Sequence, residues 1–126
     1  MSSASAGRVV VCRVGTRRFT VPVAAVREVV VAPGIVPIPG VPPVIRGVVN
    51  VRGGLVTVLS GALLVMEAGD GVVGECLLVL DMHEGRVAIE VDEVEDLHTS
   101  DSAGRLPMLD IEGQVRPLLR PEAIKA

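Results

Sequence analysis

Short valine-rich segments recur along this sequence, and each ends within a few residues at a glycine or a proline. The chain contains 26 valines, a single phenylalanine and no tyrosine or tryptophan. Because valine is branched at its β-carbon, its side chain is rigid and packs best on the pleated surface of a β-sheet. Short apolar segments at regular spacing, separated by turn-forming residues, predict an all-β protein with little helix.

The clearest hairpin pattern lies in the middle of the chain. Residues 44–52 and 55–59 are apolar segments separated by Gly53-Gly54, and glycine reaches the positive φ angles of a tight turn without steric cost. Three more pairs have the same form: residues 9–14 with 19–23, 76–82 with 86–91, and 106–111 with 114–119. Four hairpins predict a closed β-architecture, and two small barrels packed together would cover more valine surface than one.

The remaining segments are predicted to connect these hairpins. Residues 24–31 predict a helical turn that runs into a short strand, and the proline-rich and glycine-rich residues 32–43 predict an extended connector. A short helix is expected at residues 63–66. Four other segments are interpreted as irregular or solvated: a flexible tail at 1–7, a glycine-rich loop at 68–74, an acidic strand end at 92–96 and a polar loop at 98–105.

Size and charge limit the possible functions. The 126 residues suffice for one domain with a buried core, and residues 8–126 are predicted to form a single domain of two lobes. A net charge of −3 and one aromatic residue argue against binding to nucleic acid, which needs basic side chains and stacking surfaces. No apolar run approaches the roughly 20 residues that span a membrane. Because the N-terminus also lacks a secretory signal, a cytoplasmic location is expected.

The side chains that usually carry out catalysis or bind metal are not grouped in any known motif. His83 and His98 have no ligand-like spacing, and Cys12 and Cys76, 64 positions apart, are interpreted as small core residues. Gly53-Gly54 is not part of a phosphate-binding loop, and the acidic residues 92–96 lack the order of a calcium loop. The sequence therefore predicts no catalytic, cofactor-binding or metal site, and no enzymatic activity.

Two charged residues lie among residues that are expected to be buried. Glu28 is placed between valines, and Arg52 ends the strand before Gly53. A charge in such a position needs a partner. Each residue could be a solvated charge at a strand end, or the two could pair across the fold, and the sequence alone leaves both possibilities open.

Residues 19–59 resemble the CheW-like domain of bacterial chemosensory systems. The family pattern there is a glycine, two hydrophobic residues, an asparagine, a hydrophobic residue, Arg-Gly and a strand, and Gly47, Asn50, Arg52 and Gly53 occupy the corresponding positions. The other matching segments are residues 19–23, 26–29, 37–39, 76–80, 87–94 and 115–124.

This resemblance implies a fold of two five-stranded, SH3-like β-barrel lobes packed around a shared hydrophobic interface. It also implies a non-catalytic adaptor that joins the cytoplasmic tips of chemoreceptors to the regulatory domain of the histidine kinase CheA, with no cofactor. In the family, the residues that match Glu28 and Arg52 form an ion pair important for signalling. Glu28 and Arg52 are therefore the first candidate signalling residues, and Gly47 and Asn50 belong to the same motif.

Receptor binding is expected in a groove between the two lobes, because the helical receptor tip needs an apolar surface for its apolar face. Val26, Val30 and Val91 are predicted to lie near this groove, and the alternative is that all three are core residues. The kinase is expected to contact the end of one barrel.

The sequence also departs from the family pattern, at Ser60 and Gly61, at Arg120, and in the short segment at residues 97–106. These departures affect the expected contacts of the second lobe. Two alternative functions remain at this point. One is a CheW-like regulatory domain of another chemosensory or kinase-associated protein, and the other, of a different class, is a small β-barrel that binds nucleic acid.

Overall fold

The computed structural model describes residues 8–31, 34–66, 75–83, 85–99 and 106–119. Its strands are β1 (Arg8–Val14), β2 (Arg17–Pro22), β3 (Val26–Val31), β4 (Ile45–Val51), β5 (Gly54–Ser60), β6 (Cys76–Met82), β7 (Gly85–Val91) and β8 (Glu93–Thr99). Helical structure comprises α1 (Gly61–Met66) and single turns at Val23–Ala25, Ile111–Val115 and Arg116–Leu119. The predicted tail at 1–7, the predicted loop at 68–74 and most of the predicted loop at 98–105 lie outside the described residues.

The strands form two sheets with the orders β2-β1-β8 and β3-β6-β7-β5-β4. Neighbouring strands are antiparallel, except that β5 and β7 are parallel. The all-β prediction is confirmed, as are the hairpins β1–β2, β4–β5 and β6–β7. The second sheet has five strands, and the described residues give the first sheet three. In the described parts of the chain, no helix is long and apolar enough to cross a membrane.

Strand β6 joins the two hydrophobic cores, because it is buried on both faces. Leu78 and Leu80 contribute to a main core shared by the two sheets, whereas Leu77 and Val79 face a smaller core on the other side of the second sheet. Opposite faces alternate along a strand. Because β6 lies between two cores, its consecutive residues 77–80 are all apolar.

The first sheet gains a further contact from the C-terminal part of the chain. The Thr20 amide donates to the Pro107 carbonyl at 2.9 Å, and the Leu109 amide donates to the Thr20 carbonyl at 2.9 Å. This short parallel contact at the outer edge of β2 brings Leu109 into the main core, where it is 5% exposed.

Cys12 and Cys76 are free cysteines, and Cys12 is a buried residue of the main core, as predicted. Burial raises the pKa of the Cys12 thiol to about 12, with smaller contributions from Cys76 and Glu95. A thiolate is poorly stabilised away from water. Cys12 therefore remains protonated at neutral pH and packs as a small apolar side chain.

The prediction of a loop from residue 98 is wrong at its start, because β8 extends to Thr99. The acidic part of β8 pairs across the first sheet with arginines, which interrupt the apolar pattern of β1 and β2. Arg13 Nε lies 3.2 Å from Glu93 Oε1, and Arg18 Nη2 lies 2.6 Å from Glu95 Oε1. The hydrogen bond with Glu95 raises the pKa of Arg18. Cross-strand pairs of opposite charge favour this pairing of strands that are distant in sequence.

The predicted C-terminal hairpin is also wrong, because its expected turn residues belong to the helical turn Ile111–Val115. Asp110 begins this turn. Its carboxylate accepts a hydrogen bond from the Gly113 amide at 2.9 Å, and its carbonyl accepts one from the Gln114 amide at 2.8 Å. An aspartate at the start of a helical turn satisfies amides that the turn leaves without partners, so the chain coils at Glu112-Gly113 instead of reversing.

Candidate functional site

Strand β3 presents Glu28 at one outer edge of the second sheet. Its residues alternate between half-buried and exposed positions, and the Glu28 side chain is 20% exposed. A shift of register between Val26 and Glu28 interrupts the pairing of β3 with β6. Such a bulge changes the side-chain directions on its two sides, and it places Glu28 opposite Val79, on the side of the smaller core.

The turn between β4 and β5 presents Arg52 at the opposite edge of the same sheet. Val51 pairs with Gly54, so the loop consists of Arg52 and Gly53, one residue earlier than the predicted Gly53-Gly54 turn. Their φ angles of 51° and 85° are those of a type I′ turn, which needs positive φ at both positions. The Asn50 side-chain oxygen accepts a hydrogen bond from the Gly53 amide at 3.0 Å.

Glu28 and Arg52 meet directly. Arg52 Nε donates to both carboxylate oxygens of Glu28, each at 3.1 Å. Because β3 and β4 are the outer strands of the five-stranded sheet in the described parts of the chain, this ion pair connects its two edges. The structure thus places both first-ranked site residues in one contact.

The exposure of this ion pair limits its contribution to stability. The Arg52 side chain is 73% exposed, and ion pairs on a protein surface stabilise the fold by about 0–1 kcal/mol. Against this, an arginine with positive φ loses roughly 1–2 kcal/mol of conformational energy relative to its usual backbone. The pair is therefore better suited to presenting a fixed guanidinium group at the surface than to holding the sheet together.

The motif residue Gly47 has a clear packing role. It lies in β4 with φ of 147°, and a β-carbon there would collide with the backbone of Val36. Val36 exchanges two backbone hydrogen bonds with Val48, at 2.8 and 2.9 Å. Glycine therefore lets the proline-rich connector cross closely over the outer strand β4.

The structure does not bring the three predicted groove valines onto one surface. Val26 is half-buried against the main core, Val30 is half-buried against the smaller core, and Val91 is 1% exposed within the main core. The buried position of Val91 leaves it no surface for a partner. For this residue the position agrees with the alternative interpretation as a core residue.

A cleft between the lobes was not located by sequence reasoning. It has a volume of about 500 Å³ and lies where the end of the first sheet, the β6–β7 hairpin and the C-terminal segment meet. We call it the interlobe cleft, and it is lined by Pro22, Ala25, Asp81, Met82, His83, Met108, Leu109, Asp110, Ile111, Glu112 and Arg116. Its lining combines apolar side chains with the carboxylates of Asp81, Asp110 and Glu112 and the guanidinium group of Arg116, and these residues come from distant parts of the sequence.

A second ion pair, between Arg46 and Glu90, was also missed. Arg46 Nε lies 2.8 Å from Glu90 Oε1, and the Glu90 side chain is 4% exposed. A glutamate within the apolar β7 is the one sequence feature that could have indicated a buried carboxylate. Among the described residues, no group of three or more histidine, cysteine or acidic side chains is arranged to hold a metal ion.

Comparison with known proteins identifies the family. A model of the CheW-like domain matches residues 8–125. The "Chemotaxis protein CheW" of Rhizobium meliloti (strain 1021) is 32% identical over 100 residues, which cover 79% of this chain and 64% of that protein. The crystal structure of the scaffolding protein TtCheW from Thermoanaerobacter tengcongensis shares the fold, with a TM-score of 0.67 and 21% identity over 74% of this chain.

The chain spans 64% of the length of each of these two relatives. The family match, by contrast, extends over both sheets and over the segment that follows β8. It includes the Arg52 turn and the Glu28 strand that together form the surface ion pair. The chain therefore belongs to the CheW-like domain family.

Proposed function

We propose that this protein is a non-catalytic adaptor of a bacterial chemosensory system. It would join a CheA-type histidine kinase, through the kinase's regulatory domain, to the cytoplasmic tip of a chemoreceptor. The observation that carries this proposal is the CheW-like match over residues 8–125. The name of the 32% identical relative, a chemotaxis protein, supports it.

The interlobe cleft supports the receptor part of the proposal. A receptor tip is a helical hairpin, and an apolar groove binds the apolar face of a helix. Met82 and Met108 line the cleft, and flexible methionine side chains adapt to the shape of a bound helix. None of the three predicted groove valines is among the residues that line this cleft. Ala25, which precedes Val26, does line it.

The Glu28–Arg52 ion pair supports the kinase part. It is exposed, it contributes little to stability, and its arginine is held in an unusual backbone conformation. Backbone strain at an exposed residue commonly marks a position kept for function. We assign the pair to coupling with the kinase, in a protein that acts in the cytoplasm beneath receptor arrays.

The test reconstitutes the three components. The full chain is mixed with the CheA-type kinase and a receptor signalling fragment from the same organism, and complex formation is followed by gel filtration together with kinase autophosphorylation. The expected result is a ternary complex, and receptor control of the kinase only when the chain is present. Retention of neither partner contradicts the proposal.

Two further outcomes would point to the alternatives. Binding to the receptor without any effect on the kinase would favour a CheW-like regulatory domain of another chemosensory protein. A shift of RNA or DNA in an electrophoretic assay would favour the nucleic-acid-binding β-barrel.

A further inference from the structure

The direction of the Arg52 side chain depends on the local conformation of its turn. The φ angle of Arg52 is 51°, whereas non-glycine residues normally adopt negative φ. Since φ sets the direction of the Cα–Cβ bond relative to the strand, a return to negative φ would turn the guanidinium group away from Glu28. The two-residue loop between β4 and β5 requires this positive φ, so a contact that holds the loop closed also fixes the direction of Arg52.

Asn50 makes the contact that can do this. Its side-chain oxygen lies 3.0 Å from the Gly53 amide nitrogen, so it holds the second turn residue and closes the loop around Arg52. Asn50 is itself exposed at the end of β4, so burial does not require this hydrogen bond. Short polar side chains of this type commonly stabilise turns by bonding to a nearby backbone amide.

We infer that Asn50 is a positioning residue: it acts through the Arg52-Gly53 turn to hold Arg52 in the orientation that contacts Glu28. The effect of Asn50 on kinase coupling rests on the proposed function. Its effect on the orientation of Arg52, the geometric part of the inference, does not. It assigns to Asn50 a role distinct from that of a residue that merely strengthens the β4–β5 hairpin or touches the kinase itself.

The geometric part is tested on the isolated chain by NMR of the Arg52 Nε–Hε group. The wild type gives the resonance of the paired state, and Glu28→Gln gives that of the weakened pair. In Asn50→Ala we expect the resonance to move at least half of the way toward the Glu28→Gln position. Asn50→Asp, which keeps an acceptor oxygen, should restore it. Leu55→Ala, at the cross-strand neighbour of Asn50, should leave it unchanged.

An Arg52 resonance that stays at the wild-type position in folded Asn50→Ala overturns the inference, whatever happens to stability. The functional part is tested in the reconstituted kinase assay. Asn50→Ala is expected to reduce coupling about fivefold, the factor that corresponds to 1 kcal/mol, and to have no further effect in an Arg52→Ala background. Independent, additive losses would also overturn it, because they would give Asn50 a role of its own.

The two proposals can fail separately. If Arg52→Ala leaves kinase coupling intact, the assignment of the ion pair to signalling is wrong, and the NMR result still decides whether Asn50 positions Arg52. If kinase coupling depends on Arg52 but the Arg52 Nε–Hε resonance is unchanged in Asn50→Ala, the proposed function stands and the positioning role of Asn50 is rejected.

Discussion

Glu90 Oε1 lies 2.8 Å from Arg46 Nε, while Glu90 Oε2 is buried and has no hydrogen-bond partner in the described parts of the chain. Glu90 shares its face of β7 with Ala88, which belongs to the smaller core. A carboxylate in this position has lost most of its water, so it depends strongly on its one cation.

We therefore expect Arg46→Ala to lower the free energy of unfolding by about 3 kcal/mol, as is typical when one partner of a buried ion pair is removed. Urea unfolding followed by circular dichroism measures this change. Arg52→Ala is the matched control, because it also removes one arginine from an ion pair, but at an exposed site worth about 0–1 kcal/mol. Equal losses of unfolding free energy in the two variants would show that Glu90 depends no more on its arginine than the exposed Glu28 does.

The backbone contact at Gly47 predicts a second strong effect. In Gly47→Ala the new β-carbon would meet the carbonyl of Val36, and alanine would have to adopt φ of 147°. We expect a loss of at least about 2 kcal/mol in thermal or urea unfolding. Gly34→Ala is the control, since a β-carbon at Gly34 has no atom within 4 Å. A Gly47→Ala variant as stable as Gly34→Ala would contradict the close crossing of the connector over β4.

Features that depend on neighbouring residues could be predicted from the sequence. The hairpins β1–β2, β4–β5 and β6–β7 are each encoded by two valine-rich or leucine-rich segments around a short turn, and their existence was predicted correctly. The predicted position of the central turn is one residue too late in the sequence, because Arg52 rather than Gly54 takes positive φ. The hydrogen bond from the Gly53 amide to the Asn50 side chain stabilises the turn at this position.

Features that depend on distant residues could not be predicted. Strand β8 pairs with β1 through contacts such as Cys12 with Val94, which no local pattern reveals. The apolar pattern of residues 106–119 fits a hairpin and a helical turn equally well. The hydrogen bonds that Asp110 accepts from Gly113 and Gln114 favour the helical turn. The arginine partners of Glu28 and Glu90 are likewise set by the order of the strands in the sheet. The family resemblance, rather than the spacing of residues, indicated the pair of Glu28 with Arg52.

The raised pKa of Cys12 predicts a loss of stability at alkaline pH. The native thiol has a pKa of about 12 against an ordinary value of 9.0, so between these values the native state binds more protons than the unfolded state. Stability is then complete below pH 9.0 and falls as the pH rises, by about 1.4 kcal/mol for each pH unit. Urea unfolding at several pH values measures the slope.

Replacing each cysteine separately identifies the source of this pH dependence. Cys12→Ala lowers stability at every pH through the cavity it leaves, but it should remove the alkaline slope. Cys76→Ala, which alters the half-buried cysteine, should keep most of it. An unchanged slope in Cys12→Ala would mean that another group titrates.

Met108 offers a test of the interlobe cleft that leaves the core intact, because it lines the cleft and is 54% exposed. Met108→Asp would place a charge where the apolar face of a receptor helix is proposed to bind, and would add to the three carboxylates that line the cleft. We expect the affinity for a receptor fragment to fall at least tenfold, or about 1.4 kcal/mol, in isothermal titration calorimetry. Leu55→Asp, at a 75% exposed position outside the cleft lining, should bind the receptor fragment like the wild type.

Arg52→Ala separates the proposed signalling role of Arg52 from its contribution to folding. The pair with Glu28 is exposed, and alanine at positive φ has about the same backbone cost as arginine, so the variant should stay folded and lose no more than about 1 kcal/mol. Receptor control of kinase autophosphorylation should nevertheless weaken, because the guanidinium group presented between the two sheet edges is gone. Arg13→Ala is the control: Arg13 lies on β1, outside the cleft lining, and its exposed pair with Glu93 has a distance of 3.2 Å. If both variants reduce coupling equally, general surface charge and not the Arg52 contact is responsible.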